Sequence, residues 1–402
     1  MRTTLRSLYV CYASLSDPLI RTQVVAYLAG LAQRGHTIHL LTFETERLDR
    51  RHRRALRAEM AALGISWHGL RYHKRPSLPA TILDTVAGAA LGSWLVVRHR
   101  LDAVHSRSHV PLAMGLLVKA LTRRRLIFDI RGLLAEEYVD AGRWVRGGAP
   151  YRITDRIQRA GLRRADGFVV LTERVRRVLF GEAPRPRVHV IPCCADFDRL
   201  APRDPNVRER LGLGERPVMV YIGKLTGVYM DKEMADFFAV AARRQPELVF
   251  LVLTQSPADS IVAELRRTGI PDDAYRITSA PADEVGSYLA ASTFAICFCH
   301  PKPSLIASSP TKIGEYLAAG LPVVSGPDVG DTDTILDEQR AGAVVGAFTP
   351  EEYERAAAEI LTMADDPQAR ERCHDVAQRV FSLRDVGIPR YDALYREIRE
   401  LG

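Results

Sequence analysis

The chain has 402 residues, more than one comfortable core at roughly 150 residues per domain. Apolar residues make up 47% and charged residues 26%, with 28 glycines and 23 prolines, which excludes a disordered, collagen-like or coiled-coil protein. Lysine and arginine (56) outnumber aspartate and glutamate (48), so the formal charge of +8 favours anionic partners, while six cysteines in so long a chain exclude a disulfide framework and point to a reducing compartment.

Met1 to Leu8 is a short basic lead without the apolar core of a signal peptide, so a cytoplasmic protein is expected. A buried strand is predicted over Leu8–Tyr12, then a polar turn and a helix with Asp17 as N-cap, Pro18 as its first residue and Gly35 at its end. The next strand is His36–Phe43, and strand and helix go on alternating through Val104, Leu126–Ile130, Gly167–Leu171 and Val188–Ile191. The most apolar stretch, Ala80–Val97, carries Asp84 and several small residues, which predicts a buried helix and not a membrane span. The basic runs Arg47–Arg57 and Arg123–Arg125 read as solvated helix faces, with peripheral contact to an anionic membrane left open.

After the polar stretch Asp196–Asn206 the alternation begins again, with strands at Val218–Ile222, Leu248–Leu253, Tyr275–Thr278, Phe294–Cys299 and Val323–Ser325. Short apolar strands separated by amphipathic helices are the pattern of a parallel sheet covered on both faces. The fold class is therefore α/β, with two doubly wound Rossmann-like domains facing across a cleft. The expected division is 1–199 and 200–379, with a last helix in about 380–402 that packs back on either domain.

The most informative segment is Ser308-Ser309-Pro310-Thr311-Lys312-Ile313-Gly314-Glu315, followed by Ala318-Ala319-Gly320-Leu321-Pro322-Val323-Val324. Ser309 as cap and Pro310 as first residue would open a helix that Gly320 closes. The free amides and positive dipole end of such a helix form an anion site, to which Lys312 adds a full charge. Thr311 and Glu315 share a face, so a carboxylate would take ribose hydroxyls while the amides hold phosphate. The bland alternative is an ordinary capped helix with a solvated lysine and glutamate. Val218–Ile222 runs into Gly223-Lys224, where Lys224 is either a diphosphate ligand or a solvated strand-end lysine, with Lys232 a weaker candidate. Asp331-Thr332-Asp333, Asp196-Phe197-Asp198 and Cys297-Phe298-Cys299-His300 are discounted as metal sites, the last because its ligands should point to opposite sides of a strand. No nucleic-acid motif is present.

Residues 304–325 resemble the donor-binding segment of the GT-B glycosyltransferases, specifically the retaining family four, or group 1, type. Glu315 stands in the second place of that family's glutamate pair, whereas the first place falls on Ala307, which cannot bind a sugar hydroxyl. Phe128-Asp129-Ile130-Arg131-Gly132, with Glu136 and Glu137 following, is similar to an Asp-x-Arg-Gly pattern of a bacterial branch. The resemblance implies a metal-independent retaining transferase that needs no cofactor and moves a sugar from a nucleotide-diphosphate sugar to the hydroxyl of a glycan, glycolipid or natural product. It implies catalytic roles for Arg131, Glu137, Lys224 and Lys312, and donor binding by Gly223, Lys224, Ser309, Thr311, Lys312 and Glu315. Ser16, Arg21, His105, Arg107 and His109 would line the acceptor side, although the paired glycines usual near Ser16 are missing. A structural Arg-carboxylate pair is the alternative for Arg131. Ala307 and the missing glycines motivate a second reading, a catalytically idle GT-B protein that binds a sugar nucleotide or supports a partner enzyme.

Overall fold

The computed structural model describes residues 4–73, 75, 77–225 and 227–401, so Met1 to Thr3 of the basic lead lie outside it. The chain divides into two compact units. The first runs to Pro192 and resumes at Gly387; the second is Cys193–Val386.

The first unit carries seven parallel strands: β1 (Arg6–Cys11), β2 (Thr37–Glu44), β3 (Ile65–Arg71), β4 (Ala103–Arg107), β5 (Arg125–Ile130), β6 (Gly167–Val170) and β7 (Val188–Val190). Their order is β3-β2-β1-β4-β5-β6-β7, so the winding reverses between β1 and β4. The second unit holds β8 (Val218–Ile222), β9 (Val249–Leu253), β10 (Tyr275–Thr278), β11 (Phe294–Cys297), β12 (Val323–Ser325) and β13 (Gly342–Val344). Their order is β10-β9-β8-β11-β12-β13, with the reversal between β8 and β11. Every residue of β8 and β9 is buried, which is why these strands read as continuous apolar runs.

Asp17 caps its helix by accepting from Leu19 N, with Pro18 next, and Gly35 follows at φ +90°. Two strands, β3 and β13, were not expected. Both are edge strands, one alternating apolar and polar residues and the other three residues long, so neither shows the unbroken apolar run of a central strand.

The unit boundaries differ from those expected. The crossover lies at Pro192/Cys193 and not after 199, because Ala195 N donates to Phe381 O at 2.7 Å and Leu383 N to Ala195 O at 3.0 Å, tying residue 195 to the second unit. The return lies at Gly387 and not near 380. The last helix, Ile388–Glu400, packs on the first unit: His36 Nε2 lies 2.8 Å from Asp392 Oδ1, and Tyr391 donates to Asp129 at 3.0 Å.

The long apolar helix is Ser77–Arg98. Its expected burial holds on one side only: Asp84, Gly88, Gly92 and Leu95 are buried, while Ile82, Val86 and Val97 are exposed.

Candidate functional site

In the second unit the predicted residues converge at the carboxyl ends of β8 and β11, the point of strand reversal where ligands of open α/β sheets bind. The helix of the Ser-Pro-Thr-Lys segment is Thr311–Ala318. Pro310 occupies the N-cap and not the first helical position, since its ψ of 122° is extended. Ser309 does not cap the helix; its hydroxyl accepts from Cys193 N at 3.1 Å. The first-turn amides of Thr311 and Lys312 thus have no side-chain cap. Gly320 follows the helix at φ +74°, with Leu321 N bonded to Tyr316 O and Gly320 N to Leu317 O, the paired bonds of a Schellman ending.

Lys312 is the centre of the arrangement. Its side chain is buried, 4% exposed, and Nζ donates to the Tyr221 hydroxyl at 2.9 Å. Nζ also lies 3.4 Å from the ring centroid of Tyr229 and 4.1 Å from that of Tyr221. The Tyr221 hydroxyl in turn donates to Lys224 O. Among the described residues no carboxylate comes within ion-pair distance of Lys312, and burial pulls its ammonium below the usual lysine value. Gly223 is required at φ +122°, and a Cβ there would sit 3.0 Å from Lys312 Nζ. Tyr229 is held over the lysine because its loop pairs alongside the end of β11, Met230 N bonding Phe298 O at 3.2 Å and His300 N bonding Val228 O at 2.8 Å.

Lys224 is exposed at the end of β8. Lys232 is paired with Asp236 at 2.9 Å one helical turn on. Glu315 is engaged by Arg199, whose guanidinium also donates to Ala282 O at 2.8 Å. Burial raises the Glu315 carboxyl, and the neighbouring guanidinium opposes that shift. Arg199 had no sequence signal, being remote in the chain. Ala307 is buried in the turn Pro303–Ala307. Cys297 and Cys299 lie in one core with Tyr316, while Phe298 packs in the other and His300 is exposed, so the three possible ligands do not share a side.

The first-unit residues separate into two groups. At the ends of β4 and β5, Asp129 is fully buried and accepts from Tyr9 at 3.2 Å and Tyr391 at 3.0 Å. Arg107, Arg131 and His105 each stand 3.7 Å from its carboxylate. Burial alone would raise the Asp129 carboxyl, yet Arg131, His105 and Arg107 hold it well below the usual range. His105 and His109 do not line a surface. His105 bonds Tyr395 at 3.0 Å and His109 bonds Gln158 at 2.8 Å, and burial keeps both rings below the usual histidine value. Arg21 is likewise committed, its Nε donating to Leu15 O at 2.8 Å and its guanidinium paired with Glu59. Ser16 is exposed and bonds Ser14, which donates to the buried Glu44 at 2.5 Å.

Glu137 lies in the helix Leu134–Asp140, folded over Gly132 so closely that a Cβ there would fall 1.8 Å from Oε1. Burial pushes its carboxyl up to about 7. Below the ordinary carboxylate range both folded and unfolded chains hold this proton. As pH rises towards 7 the unfolded chain releases it first, so stability is lost across that window. Glu137→Gln should therefore match the parent near pH 4 and be more stable near pH 8 by on the order of 1–3 kcal/mol. Unfolding midpoints measured at both pH values check this, and an unchanged difference between them refutes the buried proton.

Comparison with known proteins follows the two units. Residues 20–194 match the family described as Glycosyl transferase 4-like domain, and residues 216–363 match Glycosyl transferases group 1, together most of the chain. Among curated proteins the chain is 27% identical over 263 residues to an alpha-D-kanosaminyltransferase of Streptomyces kanamyceticus, covering 61% of this chain and 65% of the relative. It is 26% identical over 239 residues to a GDP-mannose-dependent alpha-(1-6)-phosphatidylinositol monomannoside mannosyltransferase of Mycolicibacterium smegmatis, covering 56% of this chain and 61% of that one. These matches span less than two thirds of either relative. In fold the chain is similar to the sucrose-phosphate synthase structure from Thermosynechococcus elongatus, with TM-score 0.71, 14% identity and coverage of 99% and 100%.

Proposed function

We propose, from the premise that this chain belongs to the group 1 glycosyltransferases and carries the two Rossmann-like units of the GT-B fold, that it transfers a sugar from a nucleotide-diphosphate donor to an acceptor hydroxyl. The observation that carries the reading is Lys312. A buried ammonium without a carboxylate partner is costly in the free protein, and a diphosphate is the anion that offsets the cost. Lys312, the amides of Thr311 and Lys312, and exposed Lys224 would hold the phosphates, with Gly223 admitting their close approach. Negative charge grows on the leaving diphosphate as the glycosidic bond breaks, so these groups act most strongly in the transition state. Their charge takes the place of a metal ion in this reading.

Glu315 takes the ribose hydroxyls, sharing its carboxylate with Arg199. The acceptor is assigned to the first unit, with Arg131 and Glu137 as its polar groups and transfer with retention on the face the diphosphate leaves. The relatives' names, one for kanosaminyl and one for GDP-mannose-dependent transfer to a phosphatidylinositol mannoside, support a nucleotide sugar and a hydroxyl acceptor without choosing between natural product and glycolipid. The reading places the protein in the cytoplasm, at the inner membrane face where the acceptor is lipid-linked.

Titration calorimetry with UDP, GDP, ADP and TDP and their sugars tests the proposal. One base should bind, and Glu315→Ala should weaken it about tenfold or more, the worth of a hydrogen bond to a charged group. No heat with any of them refutes donor binding. Binding without hydrolysis or transfer to any acceptor supports the idle reading that the buried Ala307 motivates.

A further inference from the structure

The helix Ser77–Arg98 is apolar on both sides, which an ordinary surface helix is not. Its inner side buries Gly88, Gly92, Leu95 and Val96 around the single charge of Asp84, whereas its outer side presents Leu78, Ile82, Leu83, Val86, Trp94 and Val97, all of them exposed. At 22 residues it is about 33 Å long, and its exposed positions carry no charge before Arg98. The neighbouring helix His109–Thr122 lies against it, Met114 facing Gly88 and Val118 facing Gly92, and adds exposed Leu117 and Leu121. An apolar surface of this extent on a folded unit marks a contact with something else.

The charge around it says what. Between Arg71 and Arg124 the only acidic residues are Asp84 and Asp102. Asp84 is buried and bonded to Tyr12 at 2.8 Å and His73 at 2.6 Å, and Asp102 is paired with Arg6 at 2.8 Å. The exposed ends of the patch are basic: Arg71 and Arg75 before the long helix, Arg98 and Arg100 after it, and Arg123 and Arg124 after its neighbour. A second copy packed two-fold on this face would bring arginine against arginine. A bilayer with anionic headgroups satisfies both parts, taking the apolar side chains at its surface and the guanidinium groups among its phosphates. The helix is long and apolar enough to cross a membrane by composition, but its Asp84 side is built into the first unit, so it lies along the surface.

We propose that the outer face of Ser77–Arg98 and its flanking arginines dock the first unit on an anionic membrane surface. Of the two basic runs in the sequence, Arg123 and Arg124 flank this face, whereas the helix Arg50–Ala62 packs on β3. The proposal rests on the first unit alone and does not need the donor site.

Full-length protein is mixed with phosphatidylcholine vesicles with and without phosphatidylglycerol, followed by co-sedimentation and tryptophan emission, with Trp94→Phe identifying the reporter. The expected result is binding to the phosphatidylglycerol vesicles that falls roughly tenfold or more in I82E/V86E, in R98E/R100E and on vesicles without the anionic lipid, and that weakens with salt. Circular dichroism and the nucleotide response, read on the same samples, should not change. Failure of the parent to sediment with anionic vesicles, or I82E/V86E binding within about twofold of it, overturns the proposal. So does a parent dimer in sedimentation velocity that I82E/V86E dissolves. A lost nucleotide response with vesicle binding intact counts against the donor reading alone.

Discussion

Lys312→Met is expected to lower turnover by about 10²–10³-fold, the range for removing one preorganised donor from a developing anion. The effect is large because the ammonium already sits where it is needed, pinned by the Tyr221 hydroxyl and enclosed by two aromatic rings and Gly223, so no reorganisation is required when the diphosphate departs. The same variant should behave oppositely without ligand. Methionine fills much of the same space without an unpaired charge, so the free second unit should become more stable by about 1–3 kcal/mol while nucleotide no longer raises its unfolding temperature. Arginine should not rescue it, since a planar fork does not fit between Tyr229 and Gly223. Steady-state rates and thermal unfolding with and without nucleotide decide the matter, and turnover unchanged in Lys312→Met would remove the lysine from the chemistry.

Asp129→Ala should produce the largest loss of stability in the first unit, about 3–5 kcal/mol, because it leaves buried cations without their counter-charge. Arg107 and Arg131 face the carboxylate, and Tyr9 and Tyr391 donate to it, so one residue joins β1, β4, β5 and the last helix. Asp129→Asn preserves shape but not charge and should lose nearly as much. Since the folded carboxyl is held below its ordinary value, the contribution is present above the usual carboxylate range and is lost only as pH falls through the depressed value. Chemical unfolding should be followed by a probe specific to the first unit, because two units need not melt together. A loss under about 1 kcal/mol would show that the cluster is hydrated in solution.

Most of the fold was legible because buried parallel strands write themselves as apolar runs, as in β8 and β9, and because caps such as Asp17-Pro18 have local causes. The strands β3 and β13 escaped because one alternates apolar and polar residues and the other is three residues long. The segment Thr311–Glu315 and the turn at Gly223 were visible since their chemistry is local to a few residues. What the sequence could not show was who faces whom. Arg199 on Glu315, Tyr221 and Tyr229 around Lys312, and Asp129 among its arginines are all long-range meetings. His105 and His109 are cleft residues by resemblance, but His105 lies inside β4 and His109 opens the next helix, both buried, and Tyr395 and Gln158, which bond them, stand 290 and 49 residues further along the chain.

The interrupted course of the first unit has a consequence for biosynthesis. On the ribosome Cys193–Val386 is complete before Gly387 emerges, so the unit that is second in position is the first able to finish folding. Until residues 387–402 are translated, the nascent β1 to β7 sheet lacks Tyr391 against Asp129, Asp392 against His36, and Ile388 over Gly30. A substitution in that stretch would strike a sheet whose strands were made some two hundred residues earlier.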